Sequence, residues 1–376
     1  MSLLLFVALA GYLLAARINQ SAVIGEILVG LLIGPSFLGL ITYTDFVQSV
    51  AHLGAIILLF VIGMEFKVKD VFNLRYSFIA LVGVIAPWIG GFLTAKAFGF
   101  NFENSVFTGT ALTATSIAIT ANVLKEMGKL QTEAAKAIIG AAVIDDVLAL
   151  LALSLSKQLV DGAFSPYTII LPIIKAGLFL VLGIYIGHKV LSRLIERVDQ
   201  TPISQKYPEF VFIFAMMIAF FYAMIAEALH LSAIVGAFIA GISLEGVVLR
   251  HSKNYKEGAE YLHIIFASIF FVSLGILVDI HVVTPAVLWF LIVLTIVAVL
   301  TKVIGCFLPA KWQGLSTQDA AIIGFGMAPR GEVAMIIGLI GLNQNMITQE
   351  IYAAIIFMSL FTTILTPIIL RNWFYK

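Results

Sequence analysis

Two carboxylates stand side by side in Val143-Ile144-Asp145-Asp146-Val147, inside an apolar run from about Ala134 to Lys157. That run is long enough to cross a bilayer as a helix, which puts both acids near the middle of a membrane. A charge at that depth costs at least a few kcal/mol and is kept where it has a partner or a pathway to serve. Adjacent helical residues are about 100° apart, so one acid can meet a neighbouring helix while the other faces an aqueous cavity. The chemistry on offer is the binding of a cation or a proton. The plainer alternative is a pair of acids bonded to neighbouring helices to hold packing. An aspartyl protease dyad does not fit, because two acids that share a proton must face each other.

Lys302 extends the constellation. It lies well inside a second apolar run, about 7 residues and so about 10 Å from the nearer end at helical rise, and a lysine stem spans only part of that distance. An ammonium so deep needs a partner or must lose its proton, and Asp145 and Asp146 are the deep acids available. If one carboxylate pairs with Lys302, the other is free for a cation. A hard cation such as Na⁺ takes carboxylate, hydroxyl and carbonyl oxygens. Asp146 with Ser116, Thr115 and nearby backbone carbonyls supplies that set. Desolvation and the lysine charge act on a buried carboxylate in opposite senses, so H⁺ and a small cation compete for the same oxygens. Competition alone yields exchange if the empty, charged site cannot change sides. If Lys302 also loses its proton, two protons move per cation.

Two stretches must break their helices to position these groups. One is Thr108-Gly109-Thr110-Ala111-Leu112-Thr113-Ala114-Thr115-Ser116-Ile117-Ala118-Ile119-Thr120; the other is Gly324-Phe325-Gly326-Met327-Ala328-Pro329-Arg330-Gly331-Glu332. Pro329 removes a backbone donor and clashes with the preceding turn. Open backbone at membrane depth survives only where it is buried in protein or lines a cavity, and such interrupted pairs point to transporter binding sites. The alternative is a helix contact face of small residues. Arg330 and Glu332, flanking Gly331, are expected to act structurally at the break with Pro329. They either neutralise each other or satisfy freed carbonyls, since an arginine does not release its proton. Glu26, Glu65, Glu227 and Asp279 read as interfacial, Lys175 has no assigned role, and none of the six histidines shows metal-ligand spacing.

The rest of the chain agrees with a membrane setting. Of 376 residues, 61% are hydrophobic and 11% charged, against about 25% charged in soluble domains, and mean hydropathy is +1.08. This is an all-α polytopic membrane protein; the alternation of a β-barrel is missing. The single cysteine, Cys306, forms no internal disulfide. No cofactor, enzymatic activity or nucleic-acid partner is expected, and without a phosphate-binding glycine loop the driving energy is an ion gradient. Thirteen spans are readable, at 2–17, 22–40, 49–66, 76–98, 104–124, 134–157, 167–192, 208–230, 231–247, 260–281, 284–308, 317–342 and 349–371. They form one membrane domain over 1–376, with turns at Gly34-Pro35, Ser165-Pro166, Thr201-Pro202, Thr284-Pro285 and Gly314. No signal-peptide cleavage pattern precedes the first span.

Orientation follows from basic residues. With the N-terminus outside, the inner loops and helix ends hold Arg17, Lys67, Lys69, Arg75, Lys125, Lys129, Lys136, Lys189, Arg193, Arg197, Lys206, Arg250, Lys253, Lys256, Lys311, Arg371 and Lys376. The outer side holds only Lys96 and Lys157. The expected location is the cell (inner) membrane, N-terminus out and C-terminus in. An internal repeat is also present. Ser21-Ala22-Val23-Ile24-Gly25 with Gly30 answers Ser232-Ala233-Ile234-Val235-Gly236 with Gly241, and Gly63 answers Gly275. The matched spans lie an odd number apart, which inverts one half relative to the other: six spans, a linker, and six more. Inverted repeats are a mark of secondary transporters.

The run Gly25-Glu26-Ile27-Leu28-Val29-Gly30-Leu31-Leu32-Ile33-Gly34-Pro35, together with Thr115-Ser116, Asp145-Asp146, Lys302 and Pro329-Arg330-Gly331-Glu332, resembles the monovalent cation:proton antiporter superfamily. It is most similar to the NapA-like branch, related to Kef-type potassium efflux proteins. The resemblance implies an NhaA-like antiporter fold with crossed discontinuous helices, and a homodimer working by an elevator motion in lipid. The moving core is then approximately 76–157 and 284–371, the dimer scaffold 1–66 and 208–281, and the linking helix 167–192. It also implies that Asp146 is the principal Na⁺ ligand, while Asp145 pairs with Lys302. Electroneutral relatives carry Asn-Asp and an arginine at those places, so the Asp-Asp and lysine here imply electrogenic Na⁺ (or Li⁺) exchange for H⁺. The alternatives are a Kef-type K⁺/H⁺ antiporter, although such members usually carry Gln-Asp and a C-terminal nucleotide-binding domain, and a Na⁺-coupled symporter of an organic anion.

Overall fold

The computed structural model describes every residue except 72, 163–165, 208, 248, 250–254, 283 and 376. Ser165 of the expected Ser165-Pro166 turn, and Arg250, Lys253 and Lys376 of the basic loops, lie outside the described residues. Among the described residues all regular structure is helical. The first third holds α1 (Ser2–Arg17), α2 (Ala22–Ile33), α3 (Asp45–Gly63), the single turn α4 (Val68–Val71), α5 (Leu74–Ala97), α6 (Phe102–Ala111) and α7 (Ile117–Glu126). The middle holds α8 (Glu133–Asp161), α9 (Pro166–Ile186), which runs through a π turn into α10 (Ser192–Asp199), then α11 (Pro202–Lys206), α12 (Phe210–Ala228) and α13 (Ala233–Ser243). The last third holds α14 (Tyr255–Ile276), α15 (Pro285–Trp312), α16 (Thr317–Gly326), α17 (Glu332–Asn343) and α18 (Gln349–Ile369).

Eight helices among the described residues are long and apolar enough to cross a membrane, and α1, α2, α13 and α17 are shorter apolar helices. Several helices start one to a few residues before the expected spans, because a polar cap and first turn precede the apolar run. Thr44 accepts from Val47 N–H and Thr132 from Ala135 N–H, starting α3 at Asp45 and α8 at Glu133; such caps satisfy donors that have no intrahelical acceptor. The expected span 22–40 shrinks to α2, which ends at Ile33. Pro35 disfavours helical geometry at Gly34, and the chain then folds back, with Leu40 N–H bonding Ile33 O at 2.9 Å.

Helix packing depends on close backbone approach at the repeated glycines. A Cβ on Gly63 of α3 would run into the carbonyl oxygen of Phe238 on α13, beside Gly241. A Cβ on Gly275 of α14 would run into Ile27 O on α2, beside Gly30. Gly63 matches Gly275, and Gly241 matches Gly30, so the two repeat positions make equivalent crossings. Helices without a hydrophobic drive to associate gain van der Waals contact this way. Gly63→Ala is therefore expected to lower the thermal midpoint of the purified protein, by an amount equivalent to about 1–3 kcal/mol of overpacking. Gly177→Ala, where nothing lies within 4 Å of the added Cβ, should leave it unchanged. Equal midpoints for both variants would refute the tight crossing.

The α1–α3 and α12–α14 helices contact one another extensively, as do α5, α6, α8 and α15–α18. The seam between these two sets is made by α7 against α2 and α3 and by α18 against α2. The candidate site lies on that seam.

Candidate functional site

Both expected breaks are present. Residues 112–116 separate α6 from α7, and 327–331 separate α16 from α17. The two unwound segments cross and bond to each other: Ser116 N–H donates to Pro329 O at 2.9 Å, Thr115 Oγ1 to Met327 O at 3.3 Å and Thr120 Oγ1 to Gly326 O at 2.6 Å. Hydroxyls of α18 complete the accounting. Thr362 Oγ1 accepts from Arg330 N–H, Thr363 Oγ1 donates to Arg330 O, and Thr366 Oγ1 donates to Phe325 O. Most of these bonds satisfy backbone groups freed at the break, as low-dielectric surroundings require.

At the crossing the charges follow the half-helix dipoles. Cations meet the carbonyl end of α6: Lys302 Nζ donates to Thr113 O at 3.0 Å, and Arg330 Nη1 to Thr113 O at 3.1 Å and Ala114 O at 2.6 Å. Arg330 also reaches Ala298 O at 3.4 Å. Of the two roles expected for Arg330, capping freed carbonyls is the one seen. Among the described residues it forms no ion pair with Glu332. Lys302 Nζ also lies 2.7 Å from Asp145 Oδ1, and both side chains are wholly buried. Lys302 therefore spans helices α15 and α8 rather than reaching for an interface.

Asp146 faces the other way. It lines a cavity of about 20 Å³, the size of one water-sized occupant, with Thr115, Ser116, Ile117, Ala118, Gly331 and Glu332, closed by Ser232, Ile234 and Phe270 from the neighbouring helix set. The N-termini of α7 and α17 thus open into the same space as two carboxylates. Glu332 and Phe270 also line a second cavity of about 130 Å³, with Tyr43, Gln48 and His52, near the start of α3. On the opposite side, polar contacts tie α7 across the seam. Glu126 accepts from Ser21 Oγ at 2.7 Å and Ala22 N–H at 3.3 Å, and Lys125 pairs with Glu260 at 2.7 Å. His263 Nε2 lies 3.1 Å from Asn122 Oδ1.

Residues 3–376 match the family model described as "Sodium/hydrogen exchanger, transmembrane". The chain belongs to the sodium/hydrogen exchanger family. It is 33% identical over 374 residues to the Na(+)/H(+)-K(+) antiporter GerN of Bacillus cereus, covering 99% of this chain and 94% of that one. Its identity to the Na(+)/H(+) antiporter of Enterococcus hirae is 32% over 380 residues, covering 100% and 97%. The fold is shared with the sodium proton antiporter MjNhaP1 of Methanocaldococcus jannaschii at pH 8, with a TM-score of 0.68, 19% identity and coverage of 99% and 96%. The protein is thus an integral multi-pass membrane transporter, and Na⁺/H⁺ exchange is the activity these full-length relatives support. They lend no support to the Kef-type alternative.

Within this exchanger the acids and hydroxyls singled out in the sequence meet at one place: Asp146, Ser116 and Thr115 at the cavity, and Asp145 with Lys302 behind it. Pro329 lies at the crossing. Other expectations need correction. Glu26, placed near the inner end of its span, is not open to solvent but 2% exposed, packed among α1, α14 and the end of α7. Glu332 was expected to serve the break alone, yet it lines both cavities. The seam residues Asn122, Glu126, Glu260 and His263 had no expected role. The Asn122 to Glu126 spacing of four, one helical face, was the available signal, and Asn122 Nδ2 does donate to Glu126 Oε1 at 3.0 Å.

Proposed function

We propose that this exchanger moves Na⁺ (and Li⁺) against H⁺ electrogenically, with Asp146 as the ion-binding carboxylate and Ser116 and Thr115 as neutral ligands. One observation carries the reading: Asp145 is already neutralised by Lys302, whereas Asp146 faces a cavity that holds no basic side chain among its lining residues. The cavity between the two half-helix N-termini is small, so a cation and a proton exclude each other at Asp146. A proton on Lys302 that leaves when the cation binds would make two protons per Na⁺. The adjoining cavity beside His52, and the polar contacts across the opposite side, support a state open toward the start of α3. By the basic-residue count that side is outside. Thirteen spans in two inverted halves, a scaffold of α1–α3 and α12–α14, an elevator motion of the other helices about α9, and a homodimer are part of the same reading. So is membership of the NapA-like branch.

Proteoliposomes with an imposed proton gradient and an internal pH dye test it, with Na⁺, Li⁺ and K⁺ added in turn and the membrane potential clamped by an ionophore. Proton movement driven by Na⁺, faster under a potential that favours net charge movement, is the expected result. Raising external H⁺ should raise the half-saturating Na⁺ concentration. A rate insensitive to potential would sink electrogenicity, and response to K⁺ alone would move the protein to a potassium exchanger.

A further inference from the structure

Lys175 lies half-buried in α9, outside the ion-binding site. It lines a cavity of about 670 Å³ enclosed by α8, α9 and the α12–α13 turn, and Lys157 of α8 lines the same cavity. Among the described residues neither lysine has an ion-pair partner. The acid on the rim, Glu227, is exposed and forms no salt bridge with either. Lys175 and Leu229 also line a second cavity of about 290 Å³ that continues along α9 and α12. Beyond Lys175 that groove is apolar, walled by Leu178, Leu182, Ile186, Phe221 and Ile225. The order is therefore two cations, then a hydrocarbon channel, on a span whose apolar window is only 12% buried within the chain.

We propose that this is a binding site for an anionic phospholipid, with the phosphate between Lys157 and Lys175 and an acyl chain along the α9–α12 groove. The charge complement decides the occupant. A lysine within a span and a second at the outer end of its neighbour, with no carboxylate bonded to either, call for an anion, and an anion joined to hydrocarbon matches both cavities at once. A zwitterionic lipid brings its own cation against the same lysines. Each lysine near a membrane surface favours an anionic lipid roughly fivefold, so two should give a preference of up to roughly 25-fold. Val147 of α8, next to Asp146, and Ile340 of α17 face the same cavity. The lipid thus lies against the helix that carries the ion-binding acid.

Native mass spectrometry of the full chain in detergent, with phosphatidylglycerol and phosphatidylcholine of equal chain length added in equal amounts, tests the site. The expected result is preferential retention of phosphatidylglycerol, lost in the double variant K157Q/K175Q and weakened in Leu182→Glu, which places a charge in the groove. Thermal midpoints without lipid and Na⁺/H⁺ exchange in liposomes verify that the variants are folded. Equal retention of the two lipids by the unaltered protein, or a preference that survives K157Q/K175Q, overturns the proposal. So does stabilisation by inorganic phosphate equal to that by phosphatidylglycerol, which would mean an anion site without a lipid. Retention unaffected by Leu182→Glu overturns the seating of the acyl chain. Displacement of lipid by a second copy of the chain would make the groove an interface instead.

Discussion

Asp146→Asn is expected to reduce Na⁺-driven proton movement to that of protein-free vesicles while leaving the protein folded. Asparagine keeps the size of the side chain and one carbonyl acceptor but removes the charge. At a separation of 4 Å and an effective dielectric of 20, a unit charge pair is worth about 4 kcal/mol. Loss of that attraction weakens cation binding roughly a thousandfold. The hydroxyls of Ser116 and Thr115 cannot make up the difference, because neutral oxygens carry no net charge. The substitution also removes the proton site, so both halves of the exchange fail together. Thermal unfolding separates this from a folding defect. Na⁺ at 100 times its dissociation constant stabilises a binding protein by about 2.7 kcal/mol, so the unaltered chain should show a Na⁺-dependent rise in midpoint and Asp146→Asn none. A variant that still exchanges, or still gains stability from Na⁺, would remove Asp146 as the ligand and shift attention to Glu332, the other acid of the cavity.

Much of this site was legible because membrane depth makes polar residues expensive. Asp145, Asp146 and Lys302 stood out from apolar runs, and with two deep acids and one deep lysine only a few pairings were open. The breaks were legible for the same reason: Pro329, set among Gly324, Gly326 and Gly331, strongly disfavours a continuous helix, and the unsatisfied backbone that follows must be buried in protein. The glycine repeat was legible as chemistry too, since Gly30, Gly63, Gly241 and Gly275 mark places where backbones touch backbones.

What stayed hidden depends on partners distant in the chain. Glu26 looks interfacial from its position near a span end, but α14 and α7 cover it. Glu126 caps the start of α2, accepting from Ala22 N–H across 104 positions, and no local pattern announces that. Arg330 and Glu332 are two residues apart and opposite in charge, which suggests a local pair. Instead the α17 helix begins between them, so the arginine turns back to the α6 carbonyls and the glutamate forward into the cavity. Short-range spacing misleads wherever a helix terminus intervenes.

The second large effect expected is on stability, from Lys302→Ala. The ammonium makes two contacts, to Asp145 Oδ1 and to Thr113 O, in a place with no solvent exposure. Removing one partner of a buried ion pair leaves the other uncompensated and costs about 3–5 kcal/mol, so the thermal midpoint should fall by several degrees or more. Losing packing volume alone would cost something too, which makes the single variant ambiguous. The double variant K302A/D145N resolves it. Here the buried charge disappears with its partner, and the protein should recover part of the loss, giving a coupling well above the roughly 0.5 kcal/mol scatter of independent sites. Additive losses would mean that Lys302 is merely filler. In liposomes the two variants separate structure from coupling. If the lysine proton travels with the Na⁺ cycle, whatever exchange the folded K302A/D145N protein retains at Asp146 should carry less net charge and respond less to membrane potential. A recovered stability with an undiminished voltage response would keep the ion pair as a structural tie and take Lys302 out of the transport stoichiometry.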